Sequence, residues 1–127
     1  TSKCTGISSS GMGIYTGTGP TQVYDCDGYS SSNVGGSIGF IGGNLIGGKF
    51  QSDWNNAGGN GVVIQNIASI SKVTAVCTNA SAYNIFCGTT YSLRLSQNLF
   101  IGGQGNWNPL ITNSLITTQD NQGNIYL

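Results

Sequence analysis

The chain has 127 residues, no histidine and no glutamate, and its four Lys/Arg balance four Asp to a formal net charge of zero. Four scattered cations cannot assemble the phosphate-tracking surface of a nucleic-acid binder, and no apolar run approaches the roughly 20 residues of a membrane-spanning helix. Solubility must rest on Ser, Thr, Asn, Gln and exposed peptide groups, in a single domain (1–127) long enough to bury a core.

Taken in chain order, the candidate elements are short apolar runs between turn residues: "GIYT", "TQVYDC", "SIGFIG", "NLIGGKF", "GVVIQNIASI", "KVTAVC", "AYNIFCG", "TYSLRLSQ", "NLFIGG", "LITNSLITT" and "NIYL". Gly and Asn interrupt every stretch that begins to repeat at helical spacing, and only "IQNIASIS" has room for a helical turn or two. "TYSLRLS" has the period-2 signature of a half-buried strand, with Tyr91, Leu93 and Leu95 on one face and Ser92, Arg94 and Ser96 on the other. "KVTAVC" does the same with Val73, Ala75 and Cys77. The glycine-rich "VGGSIGFIGGNLIGGKF" interleaves Ile, Phe and Leu, so it reads as folded chain with bulges or sharp bends rather than a linker. Many short strands with Gly/Asn turns predict an all-β domain, a β-sandwich or small β-barrel.

The four cysteines, Cys4, Cys26, Cys77 and Cys87, lack the paired C-x2–4-C spacing of a zinc site. They read as two local disulfides, Cys4–Cys26 and Cys77–Cys87, each flanking strand-like segments. Low charge, these cysteines, a start at Thr1 without an apolar leader and the glycosylation acceptor Asn79-Ala80-Ser81 together predict a secreted, extracellular protein. No cofactor or metal is expected. Asp25-Cys26-Asp27-Gly28 has only part of an EF-hand ligand set.

An internal echo joins "NLIGGKFQSDWN" (44–55) to "NLFIGGQGNWN" (98–108), and the two copies hold both tryptophans. Each copy lies downstream of a cysteine, Cys26 or Cys87, which suggests two pseudo-repeats of about 4–55 and 77–108. That layout resembles cyanovirin-type lectins, in which each half carries a local disulfide and a Gly-rich turn leading to an aromatic strand; here the cysteine spacing differs between the halves. In composition, the chain resembles small secreted fungal proteins of the elicitor or effector kind, rich in Ser, Gly and Asn. The first resemblance implies carbohydrate binding, the second an interaction protein.

Without histidine, Ser-His and Cys-His nucleophile pairs are impossible. A small polysaccharide-active enzyme would have to use Asp25, Asp27 or Asp53; in a strand Asp25 and Asp27 would share one face, roughly 7 Å apart. Binding suits the inventory better than turnover, and no residue is assigned a catalytic role. Sugars stack on indole faces and hydrogen-bond to amides, and Trp54 is flanked by Gln51, Asp53, Asn55 and Asn56, Trp107 by Gln104, Asn106 and Asn108. The sequence therefore predicts a non-catalytic protein that binds carbohydrate or a cell-surface glycoconjugate through Asp53, Trp54, Asn55, Asn106, Trp107 and Asn108. The alternative is an elicitor-, immunomodulator- or toxin-like protein with a host or competitor-cell protein as partner. A third polar cluster, Gln119, Asp120, Asn121 and Asn124 before Tyr126, resembles part of the motif of monocot mannose-binding lectins and also reads as a turn into a terminal strand.

Overall fold

The structure is a computed structural model that describes residues 3–16, 22–38, 43–64, 68–87, 93–104, 106–107 and 123–127. Among them every regular element is a β-strand: β1 (Thr5–Ser8), β2 (Ile14–Thr16), β3 (Gln22–Tyr24), β4 (Asp27–Ser30), β5 (Gly36–Ile38), β6 (Gly43–Ile46), β7 (Lys49–Ser52), β8 (Val62–Ile64), β9 (Ala68–Ser71), β10 (Thr74–Cys77), β11 (Ile85–Cys87), β12 (Leu93–Ser96), β13 (Leu99–Ile101), β14 (Asn106–Trp107) and β15 (Ile125–Tyr126). The candidate helical stretch "IQNIASIS" instead contributes Ile64 to β8 and its last four residues to β9.

The strands do not form a sandwich or a barrel. From β1 to β14 each strand pairs, in parallel, with the described strand three places along the chain, and β13 pairs with β15: β1-β4-β7-β10-β13-β15 form the first sheet, β2-β5-β8-β11-β14 the second and β3-β6-β9-β12 the third. The chain is a β-solenoid, each coil visiting the three sheets in turn. Successive coils are 22 residues apart at Thr5↔Asp27 and 25 apart at Lys49↔Thr74 and Thr74↔Leu99. Period-2 alternation reports which face of a strand is buried but not which strand lies beside it, so it reads alike in sandwich and solenoid. The "LITNSLITT" run falls outside the described residues.

Stacking turns each inward position into a file of side chains running along the solenoid. In the third sheet Val23, Leu45 and Ile70 are fully buried register partners, and Leu95 continues the file. In the first sheet Phe50, Ala75 and Phe100 do the same, and Val73, Ala75 and Cys77 all point inward as the alternation of "KVTAVC" predicts. The second sheet adds Val62, Ile64 and Ile85. Phe50 needs room from its neighbours: a Cβ on Gly36 would lie 2.5 Å from its ring and one on Gly28 3.1 Å, so those glycines make the space this ring fills.

One corner repeats in every described coil. The residue two positions before each first-sheet strand has a left-handed backbone each time: Lys3 (φ 50), Asp25 (φ 52), Gly47 (φ 73), Lys72 (φ 57), Gln97 (φ 55) and Gly123 (φ 83). A single such residue redirects the chain sharply, and its amide still bonds to the neighbouring coil, as Asp25 N–H does to Ile46 O and Lys72 N–H to Ser96 O. The left-handed conformation costs a non-glycine residue about 1–2 kcal/mol, recovered through the inter-coil bonds on both sides. At Gly47 a Cβ would meet the exposed Asp25 carboxylate stacked beside it, which would have to turn aside.

This register separates the two halves of the sequence echo. Gly47-Gly48 forms the tight corner into β7, whereas Gly102-Gly103 follows β13 on the way to the second sheet; Asn44 lies within β6, whereas Asn98 lies at a corner. Trp54 follows β7 in a loop and Trp107 lies within β14. The two tryptophans hold different positions in the coil.

Candidate functional site

The connections around a coil differ in how much length they tolerate. From third to first sheet the spacing is always five, as from Gln22 to Asp27, Asn44 to Lys49, Ser69 to Thr74 and Arg94 to Leu99. From first to second sheet it runs nine from Asp27 to Gly36, thirteen from Lys49 to Val62, eleven from Thr74 to Ile85 and seven from Leu99 to Asn106. The longest of these connections carries Asp53, Trp54, Asn55 and Asn56, and variable connections held by a rigid scaffold are where binding residues concentrate.

That loop is held at both ends. Asp53 N–H bonds to Ser30 O of the coil before, and Trp54 N–H to the hydroxyl of Ser52. Asn56 closes the turn through its side chain, which accepts from Gly58 N–H, and its carbonyl, which accepts from Gly59 N–H. Asn60, nearly buried, bridges three coils: its carbonyl accepts from Gly35 N–H and its side-chain oxygen from Tyr83 N–H. On this base Asp53, Asn55 and Asn56 are exposed and Trp54 is half-buried, its ring edge against Gly58.

Gln51 of β7 and two residues of the next coil add further polar groups beside these. Gln51 Nε2 donates to Asp53 Oδ1 at 2.7 Å and Thr78 Oγ1 donates to the same oxygen at 3.5 Å. Asn79 Nδ2 donates to Asn55 Oδ1 at 3.0 Å, while Asn79 Oδ1 accepts from Ser81 N–H. The result is a carboxylate, three amides and a hydroxyl linked by hydrogen bonds on two adjacent rungs, with the Trp54 indole beside them. Thr78 and Asn79 join the cluster 25 positions after Asp53 and Trp54 because that is the coil length here, a partnership that only the register discloses.

The other candidates are dispersed. Asn106 and Trp107 form β14 beside β11, their side chains and Asn108 lying outside the described residues, as do Gln119, Asp120 and Asn121. Asn124 is no surface ligand: it is buried after the Gly123 corner, where its side-chain oxygen accepts from Asn98 N–H and Asn98 Nδ2 and its amide donates to Leu95 O. Asp25 and Asp27 do not alternate along one strand, because the left-handed corner at Asp25 precedes the start of β4 at Asp27. Asp25 is exposed beside Gly47, and Asp27 Oδ1 accepts the backbone N–H of Lys49 at 2.9 Å. Among the described residues no group of three or more Cys or Asp side chains could hold a metal ion, and no helix is long and apolar enough to cross a membrane.

The cysteines also separate. The expected Cys4–Cys26 bridge is not formed in the structure: both are free thiols at the same corner of adjacent coils with their sulfurs 2.7 Å apart, and the hydrogen bond with Cys26 is the main cause that raises the Cys4 pKa above its usual value. Cys77 is a buried free thiol that donates to Tyr83 O at 3.2 Å; desolvation pushes its pKa up to about 11, against the opposing pull of the Gly61 backbone. The expected Cys77–Cys87 bridge is not formed by the Cys77 sulfur described, because that thiol points to the turn carbonyl; Cys87 ends β11, its side chain outside the described residues. Comparison of the chain with family models, curated proteins and solved structures finds no match.

Proposed function

We propose that the protein is a secreted, non-catalytic β-solenoid that binds carbohydrate, or a glycosylated cell surface, at the loop after β7. The observation that carries this reading is the two-rung cluster of Asp53, Trp54 and Asn55 with Gln51, Thr78 and Asn79. Hydroxyl-rich ligands need several hydrogen-bonding groups at fixed spacing and an apolar ring face to stack on, and pre-ordered groups give up little entropy on binding. Trp107, with Asn106 and Asn108, offers a second aromatic contact on the same reading. The low charge and the cysteines support secretion.

A glycan array on the purified protein, followed by titration of the best ligand with tryptophan fluorescence, tests the proposal. Trp54→Ala is expected to weaken binding roughly three- to tenfold, and Asn55→Ala to weaken it with the fold intact. Binding that is unchanged in both variants, or absent across the array, overturns it. A second reading, an interaction with a host or competitor-cell protein, draws on the exposed apolar side chains of the two ends of the first sheet, Ile7 (79 %) and Leu127 (73 %). A protein partner captured with wild type and Asn55→Ala alike would favour that reading.

A further inference from the structure

At the corner from third to first sheet, the first residue of the inward file is Cys4 and the second Cys26, register partners one position before Thr5 and Asp27. Neighbouring strands lie about 4.7–4.9 Å apart, inside the 4.4–6.8 Å range of Cα separations that a disulfide spans. The two sulfurs are 2.7 Å apart, whereas even non-bonded carbon atoms rest at ~3.5–4.0 Å. Further along the same file Asn98 and Asn124 tie successive coils together. Asn98 Oδ1 accepts Val73 N–H, and Asn124 Oδ1 accepts Asn98 N–H. Cys26 Sγ stands in the same relation to Cys4 N–H, at 3.4 Å. A sulfur therefore occupies the place of a cross-coil tie at the coil that carries the outermost described strand, β1, which pairs on one side only.

We propose that Cys4 and Cys26 form a disulfide that clamps β1 to β4, while Cys77 remains a thiol. With glutathione disulfide as oxidant, the partly exposed Cys4 sulfur, as thiolate, attacks one glutathione sulfur and releases a glutathione thiolate. The fully buried Cys26 then loses its proton and attacks the Cys4 sulfur of the mixed disulfide, releasing the second glutathione. Two protein S–H bonds and one glutathione S–S bond are lost. One protein S–S bond and two glutathione thiols are gained, so the protein gives up two electrons to the oxidant. This clamp is independent of the carbohydrate reading, whose loop lies on later coils.

The test equilibrates the full chain with a glutathione disulfide buffer, then denatures it, alkylates the free thiols and maps the peptides. The expected product is two hydrogens lighter than the reduced chain, with Cys4 linked to Cys26 and Cys77 alkylated. Cys26→Ser should instead stop at a Cys4–glutathione adduct. Amide exchange in β1, compared between oxidised and reduced wild type, should slow roughly 100-fold on oxidation, the scale set by closing a loop of this length. Alkylation of both Cys4 and Cys26 after equilibration, a link from Cys77 to Cys4, Cys26 or Cys87, or β1 exchange that is equal in the two redox states overturns the proposal.

Discussion

The two ends of the first sheet's strands obey opposite rules. Where the chain enters the first sheet, the spacing is fixed at five residues, a left-handed residue recurs in every described coil, and the inward Asn98 and Asn124 side chains bind across coils. Where it leaves, the connections vary from seven to thirteen positions. There the inward side chains act differently: the Ser30 and Ser52 hydroxyls donate to the loop carbonyls of Gly11 and Asn33 at 2.6 Å. Both ends belong to the same strands, so the difference is not one of strand propensity. The entry corner must satisfy backbone groups that are shut away from water, which fixes its geometry. The exit needs only an anchor for a loop that faces solvent, so its length is free and polar groups can gather there.

Breaking the entry corner should have the largest effect. Asn98→Ala removes the acceptor of Val73 N–H, the donor to Ile70 O and the contact with Asn124, leaving several buried polar groups unpaired. A loss of about 3 kcal/mol or more is expected in urea unfolding. Asn55→Ala at the exit loop, in the same measurement, should stay within about 0.5 kcal/mol of wild type. Equal losses would remove the distinction between the corners.

An intermediate effect comes from the one thiol among the exit anchors. Cys77 follows Ser52 in register and sits 4 % exposed. Burial raises its pKa from 9.0 to about 11, so the folded chain holds this proton where the unfolded chain has released it. The contribution is therefore fully present below pH 9 and is lost as pH rises through 11, about 2–3 kcal/mol in all. Unfolding free energies of wild type and Cys77→Ser across that window should diverge by this amount; parallel curves would mean that the thiol is solvated.

The smallest effect sharpens the description of the corner itself. Lys72 is exposed with φ 57, so Lys72→Gly relieves left-handed strain while adding freedom to the unfolded chain. A net stabilisation of no more than about 1 kcal/mol is expected from the urea midpoint. A clear destabilisation would show that the corner side chain makes contacts of its own.

Much of the fold was legible residue by residue. The alternation in "KVTAVC" marks the inward face of β10, and most of the apolar runs coincide with strands. β1 ("TGIS") and β4 ("DGYS") gave no signal because their inward residues are Gly and Ser, chosen for fit beneath neighbouring coils rather than for hydrophobicity. Of the site, Asp53, Trp54 and Asn55 stood out as an indole among amides, but Thr78 and Asn79 did not, since nothing in their own neighbourhood links them to residues 25 positions earlier. Asn124 was misleading for a related reason: an amide in a polar stretch reads as surface until a stacked Asn98 takes up its hydrogen bonds.

The sequence by itself determined that the chain is made of short strands divided by glycine and asparagine, and which faces of the clearest of them are buried, because both follow from local sterics and period-2 patterning. Only the tertiary structure decided that every described pairing is parallel and a coil apart. Pairing is a contact between residues 21 to 26 positions apart, and its register is set by the fit of side chains between coils: Phe50 against Gly28 and Gly36, Asn98 against Asn124, Cys4 against Cys26. That same register brings the polar groups of two coils together around Trp54.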